Sequence, residues 1–388
     1  VESKKLMEKE SIHPNFLHIL NDGFKASLLL LLPFIAKEFG MSLTKVGFLG
    51  SAVNSLDIIL AIPAGYFASK IGGKHVLVSA LFFCAAGYFL AGIAPNYSFM
   101  VFAFIIAGMA FGVFHPIGFA FIAGSSTQKN RGTRLGNFTA AGDIGKIGIS
   151  SLITFIIVYI GWRNTTIAAA LLLFILSLYF VHLVKKDIFI KEIENKEEKK
   201  LSYNDLIKSK KFIFATLSFC FDSLASSALF VFLPFLLLQR HVGYAFLGVI
   251  TSTFFIGNIF GKLFLGRLVD KFGNANVFII SEIFMAIFIV ILSNTVWLPL
   301  IICASVILGM FTKGTSPVLT AMVAESVGNV VGMEKAFGLN ALFVGCATTL
   351  APFILGWSAD KWGIVAAFSV SAGFALVATI PALLFRRI

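Results

Sequence analysis

Eight ionisable side chains interrupt the long apolar runs of this 388-residue chain: Asp22, Lys25, Asp57, Asp143, Lys146, Asp222, Lys262 and Lys313. Placed in hydrocarbon, each charge costs roughly 2.5–3.5 kcal/mol. A partner or a task must offset that cost. His18, Asp22 and Lys25 fall at i, i+4 and i+7, on one helical face, and Asp143 and Lys146 are three apart, again on one face. A membrane carboxylate can take up and release a proton, which makes Asp22 the leading candidate proton carrier, with Asp57 and Asp222 behind it. His115 stands directly before Pro116. Imidazole titrates near neutrality, so it is a candidate proton relay. A buried ammonium recovers desolvation cost by holding an anion, and Lys25, Asp143, Lys146 and Lys313 are the candidate substrate residues. Lys25 and Lys146 have acids nearby on their own helices, in Asp22 and Asp143, whereas Lys313 has none within four residues. Asp57 stands alone on its run. The competing reading is purely structural: each Asp/Lys pair neutralises itself, and Lys313 finds an acid on another helix. Glu282, near the start of its run, is expected to reach out to the surface.

The elements that must hold these residues are membrane helices. The chain is 58% hydrophobic and 13% charged, against about 25% charged in soluble proteins. A span needs roughly 20 apolar residues, and twelve such stretches fit, at about 14–36, 45–68, 75–94, 97–123, 135–160, 164–184, 211–238, 244–266, 276–294, 297–323, 335–358 and 363–385. With both termini on the cytoplasmic side, the inside segments carry 22 Lys and Arg and the outside loops five. This is the positive-inside bias, and it accounts for much of the +12 net charge without a nucleic-acid partner. The polar, mixed-charge stretch 185–210 reads as a cytoplasmic linker between two six-helix halves, 1–184 and 211–388. Cys84, Cys220, Cys303 and Cys346 lie in apolar runs without ligand spacing and read as small core residues. No Walker loop, nucleophile elbow, zinc spacing or dinucleotide fingerprint is present, so neither enzyme chemistry nor a metal or cofactor is expected.

The halves are related by an offset of 201. It places Pro33 on Pro234, Gly47 on Gly248, Gly65 on Gly266, Lys70 on Lys271, Gly72 on Gly273 and Pro116 on Pro317. The loop Gly266-Arg267-Leu268-Val269-Asp270-Lys271-Phe272-Gly273 and its counterpart from Gly65 to Lys74 resemble the G-x-x-x-D-(R/K)-x-G-(R/K) loop of the major facilitator superfamily. That resemblance implies twelve transmembrane helices in two pseudo-symmetric halves, with a solute site near the midplane between them. It also implies a conformational latch formed by Gly65, Lys70, Gly72, Gly266, Asp270, Lys271 and Gly273. Glycines there permit a tight turn and close helix approach. The first copy departs from the pattern in having Ser69 where Asp is expected.

His18-Ile19-Leu20-Asn21-Asp22-Gly23 together with Phe114-His115-Pro116 is similar to the fosmidomycin-resistance branch, whose members are inner-membrane exporters. Lys25 and the Asp143/Lys146 pair depart from that branch, and the fifth span lacks the Gly-Pro kink of drug/proton antiporters. The expected protein is therefore a monomeric, proton-coupled secondary transporter in a bacterial cytoplasmic membrane. It moves a small organic anion by alternating access, with export favoured and broad multidrug transport disfavoured. The alternatives are a proton-coupled importer of an organic acid and, in a different class, a transporter-like receptor.

Overall fold

The structure, a computed structural model, describes residues 14–124, 131–183, 203–328 and 333–388. Residues 185–202 of the expected linker lie outside them. Among the described residues every regular element is a helix. The first half comprises α1 (Pro14–Leu30), α2 (Leu32–Phe39), α3 (Leu43–Ile59), α4 (Ala61–Ile71), α5 (Gly73–Ile93), α6 (Tyr97–Gly124) and α7 (Arg131–Leu183). A short α8 (Tyr203–Lys208) leads into the second half. There follow α9 (Lys210–Ser226), α10 (Leu229–Gln239), α11 (Tyr244–Phe272), α12 (Asn274–Asn294), α13 (Leu298–Thr312), α14 (Ser316–Val327), α15 (Met333–Trp362) and α16 (Ile364–Arg386).

Several spans are broken where proline removes a backbone donor. The α1/α2 break at Leu31 precedes Pro33, the α9/α10 break precedes Pro234, and the α13/α14 break at 313–315 precedes Pro317. The α3/α4 pair bends by 52° just ahead of Pro63. α7 is two helices meeting at Gly161, whose φ of 76° ends the first. Among the described residues, ten helical segments are long and apolar enough to cross a membrane, eleven if the α3/α4 pair is one span. Counting α7 as its two helices gives the expected twelve.

The repeat reappears in the turns. Gly72 (φ 92°) joins α4 to α5, and Gly273 (φ 79°) joins α11 to α12 at the matching place. Both occupy the left-handed region that side chains rarely adopt. Gly65 and Gly266 have open space where a Cβ would stand, so the expected close helix approach is not made at either.

The chain forms two compact units. Among the described residues, one comprises 14–31 and the part from 55 to 183, the other 32–54 and the part from 203 to 388. In the first, Phe104, Phe111, Phe114 and Phe138 are fully buried, and Tyr88 Oη donates to the Phe24 carbonyl at 2.6 Å. In the second, Phe212, Phe278, Met322 and Phe385 share a core. Residues 32–54 belong to this unit although they come from the first half of the sequence. Gly47 and Gly356 allow the closeness, since a Cβ on either would strike the Pro352 or the Leu43 carbonyl. Asp360 then takes the Leu43 and Thr44 amides at 2.7 and 2.8 Å, satisfying two of the free donors at the start of α3. Of the cysteines, Cys84 is buried, but Cys303 and Cys346 are exposed and are not core residues. Apolar runs do not reveal which helical face meets neighbouring helices.

Candidate functional site

In the first unit, α1, α6 and α7 converge on Asp22, which is buried. Lys146 Nζ lies 2.9 Å from its Oδ2 and 3.1 Å from Asp143 Oδ1. His115 Nε2 lies 3.1 Å from Asp22 Oδ1, Asn21 donates to the same oxygen at 3.1 Å, and His18 Nε2 is 3.4 Å from Oδ2. One ammonium is thus shared by two buried carboxylates, with two imidazoles alongside.

Backbone approach makes this possible. Gly142 and Gly145 form the side of α7 that meets α1. A Cβ at Gly142 would come within 2.7 Å of both Asp22 Oδ2 and His18 Nε2, and one at Gly145 would strike the Ile19 carbonyl. Small residues at such positions let membrane helices close on one another. Phe138, one turn before Gly142, stacks on the His18 ring at 4.1 Å.

The His18 tautomer follows from its contacts. Its Nδ1 lies 2.6 Å from the Phe138 carbonyl, an acceptor only, so Nδ1 carries the hydrogen. In neutral imidazole Nε2 is then a bare acceptor. It has no donor among the described residues and faces a carboxylate oxygen. A proton between His18 Nε2 and Asp22 Oδ2 would be held by both. Sequence reading placed His18 on the right face but did not include it among the proton-handling residues. Nothing in its spacing shows which ring nitrogen is occupied.

Lys25 does not serve Asp22. Its Nζ pairs with Asp57 Oδ2 of α3 at 2.8 Å and sits 5.5 Å from the centre of the Phe111 ring. The expected Asp22–Lys25 pairing is replaced because the close approach of α7 delivers Lys146 to Asp22. Asp57 is therefore not the solitary acid its span implied. Asp222 lies elsewhere, in the second unit. Its Oδ1 accepts a hydrogen bond from Thr315 Oγ1 at 3.1 Å. Glu282 does not reach the surface: it is 0% exposed. It sits two turns into α12, on the face packed inside the unit.

Of the latch residues, only Gly72 and Gly273 form the α4/α5 and α11/α12 turns; Gly65 and Lys70 lie in α4, and Gly266, Asp270 and Lys271 lie in α11, so most of the expected loop is helical. Lys70 rests over the Tyr66 ring at 4.6 Å and Lys271 over Phe272 at 5.2 Å. Ser69 Oγ donates to the Tyr66 carbonyl at 2.8 Å. The Asp270 side chain lies outside the described residues. His18, Asp22 and His115 offer ligand atoms within 4.8 Å of one another, but a metal would have to displace the Lys146 ammonium from Asp22. The residues therefore fit a built-in cation better than a bound one. An apolar groove of about 470 Å³ lined by Phe82, Phe83, Phe89 and Phe174 is remote in character from this site, since no charged side chain lines it.

The family model of the Major Facilitator Superfamily matches residues 15–245 and 215–388. The chain belongs to that superfamily. It is accordingly a multi-pass membrane transporter of small solutes and not an enzyme. Among relatives, the quinolone resistance protein NorA of Staphylococcus aureus (strain COL) is 24% identical over 341 residues, covering 84% of this chain and 83% of that protein. The protein named probable galactarate/D-glucarate transporter of Escherichia coli (strain K12) is 24% identical over 191 residues, covering 46% and 43%. A solved bacterial homologue of the human lysosomal transporter Spinster, inward-facing and occupied, has a TM-score of 0.79 at 12% identity, covering 96% of this chain and 95% of that one. The last is a likeness of fold. In superfamily terms the Asp22 cluster lies on the helices equivalent to spans 1, 4 and 5 of the sequence reading.

Proposed function

We propose that this superfamily member is a proton-coupled transporter of a small organic anion, working by alternating access. One observation carries the reading: Lys146 is shared between Asp22 and Asp143, beside a His18 nitrogen with an open lone pair. In this arrangement Asp22 is the internal stand-in for the carboxylate of a solute. A proton on the Asp22/His18 pair ends the claim of Asp22 on Lys146, and the ammonium is then available to an incoming anion. Loss of the anion returns Lys146 to Asp22 and expels the proton. Asp143 keeps Lys146 in place through both states, and His115, whose ring is one-third exposed, provides the route by which the proton arrives.

Proton and anion ride together in this scheme, so an inward proton gradient drives uptake. The geometry thus favours the importer of an organic acid over the export implied by resemblance to the fosmidomycin-resistance branch. The His18–Gly23 and Phe114–Pro116 signatures still make that branch the proposed affiliation. The names of relatives point two ways, to quinolone resistance and to galactarate and D-glucarate, and the two sugar acids agree with an anion site. The basic residues concentrated on one side support an orientation with both termini on the cytoplasmic side.

The test is uptake into proteoliposomes of a panel of small organic anions that includes galactarate and D-glucarate, with cationic solutes as controls. Anion uptake accompanied by internal acidification is expected. A preference for cations, or anion transport that moves no protons, would overturn the reading.

A further inference from the structure

Lys25 and Asp57 have no role in the scheme above, yet they stand beside the residues that do. Asp22 of α1 faces His115 of α6, with 3.1 Å between Oδ1 and Nε2. Three residues on along α1, the Lys25 ammonium lies 5.5 Å from the centre of the Phe111 ring, which is four residues back along α6. Both helices therefore step the same way. At about 1.5 Å per residue, the Lys25/Asp57 pair lies roughly 4.5–6 Å along the helices from the Asp22 cluster. Gly112, next to Phe111, lets α3 reach this level, since a Cβ there would strike the Leu56 carbonyl. Neither group is sealed in the core: Lys146, His115, Lys25 and Asp57 are all part-exposed.

The outer pair is dipolar and carries no net charge. Lys25 Nζ donates to Asp57 Oδ2 at 2.8 Å. Asp57 Oδ1 is shielded from solvent and has no donor among the described residues, a state that a bound donor would relieve. An ammonium carries three hydrogens, and both carboxylate oxygens accept. The pair thus offers a donor and an acceptor side by side. A second carboxylate brought here would have to take Lys25 from Asp57 and leave that acid unpaired, at a cost its new contact does not offset. A solute ammonium would contend with Lys25 for Asp57 in the same way. A hydroxyl has one hydrogen to give and lone pairs to accept with. It can donate to Asp57 Oδ1 and accept from Lys25 without separating them.

We infer that Lys25 and Asp57 form a hydroxyl-reading subsite, and that the transported solute is a hydroxylated carboxylate. The inference rests on Lys146 as the holder of the carboxylate. The separation of the two groups decides which hydroxyl is read: one several carbons from the carboxylate, not the one on the adjacent carbon. Lys25 and Asp57 are then specificity determinants, and the coupling of solute to proton stays with Asp22.

Calorimetric titration of the full-length protein in detergent tests this with hexanoate, 2-hydroxyhexanoate and D-gluconate, whose hydroxyls run the length of the same carbon chain. Hydrogen bonds to charged groups make D-gluconate at least about tenfold tighter than hexanoate in the wild type, with 2-hydroxyhexanoate within about twofold of hexanoate. Lys25→Met/Asp57→Leu replaces the ion pair with apolar side chains of similar size, an exchange that proteins often tolerate. It should erase the preference for D-gluconate. Either single substitution should reduce the preference, so that one folded variant suffices. Lys146→Gln should instead weaken all three acids, which separates the subsite from the group that holds the carboxylate. Equal binding of hexanoate and D-gluconate by the wild type, or a preference unchanged in every folded Lys25 and Asp57 variant, would overturn the inference and leave the Lys146 reading standing. Failure of all three acids to bind would overturn the Lys146 reading, and the subsite with it.

Discussion

Lys146→Gln removes the one ammonium that two buried carboxylates share. Asp22 and Asp143 are almost wholly buried, and the lysine contacts at 2.9 and 3.1 Å are direct. Removing one partner of a buried pair costs about 3–5 kcal/mol, because the remaining charge is left in low dielectric. Lys146 is itself partly exposed, at 27%, so solvent and the adjacent imidazoles bring the expected loss of stability to the lower part of that range. Protons can replace the ammonium on the stranded carboxylates. The variant should therefore regain stability as pH falls toward the carboxylate range, while the wild type should not. For the solute the expectation is sharper. If Lys146 holds the carboxylate of the anion, its loss costs about 2–5 kcal/mol, which is about 30-fold to more than 10³-fold in Kd. The assay pairs detergent-phase thermal melting across pH with concentration-dependent uptake of the best anion from the panel. An affinity within about twofold of wild type, in a folded variant, would refute the idea that Lys146 is the anion-holding group.

Other expectations follow from contacts outside the cluster. The Lys25–Asp57 pair is part-exposed on both sides, at 19% and 39%, and exposed pairs are worth only about 0–1 kcal/mol. The double variant Lys25→Gln/Asp57→Asn should fold with little loss and keep solute-driven proton movement; abolition of that movement would return Asp57 to the coupling set. Asp360→Ala removes both acceptors of the cap on Leu43 and Thr44. By the usual worth of such caps it should cost about 0.5–2 kcal/mol in melting experiments and raise the labelling rate of a cysteine placed at 43. Unchanged labelling would mean the contact contributes nothing to holding residues 32–54 in the second unit.

Much of this arrangement was legible in the residues before any coordinates. Apolar run lengths place the spans. The 201-residue offset foretells that Gly72 and Gly273 occupy matching turns, and spacing alone puts His18 with Asp22 and Asp143 with Lys146 on common faces. Spacing fails where partners come from different helices. Lys25 is three residues from Asp22 and is as plausible a partner as any lysine, but Gly142 and Gly145 let α7 approach α1, and that interhelical distance decides for Lys146. Asp222 and Thr315, about ninety residues apart in the chain, meet through a hydrogen bond that no spacing reveals. Glu282 was misread for a related reason. Its nearness to a helix start suggests a way out to water, yet which face of α12 is buried is a property of packing that a single apolar run does not encode.

Solute-driven proton flux in wild-type and Asp22→Asn proteoliposomes tests the central claim most directly. In wild type, adding the transported anion outside should acidify the lumen, and an imposed inward proton gradient should drive accumulation. In Asp22→Asn the amide can no longer exchange a proton, so anion-driven acidification and gradient-driven accumulation should both vanish, while exchange of internal for external anion continues. Accumulation retained against a gradient in that variant, with acidification intact, would contradict Asp22 as the site where proton and solute are coupled.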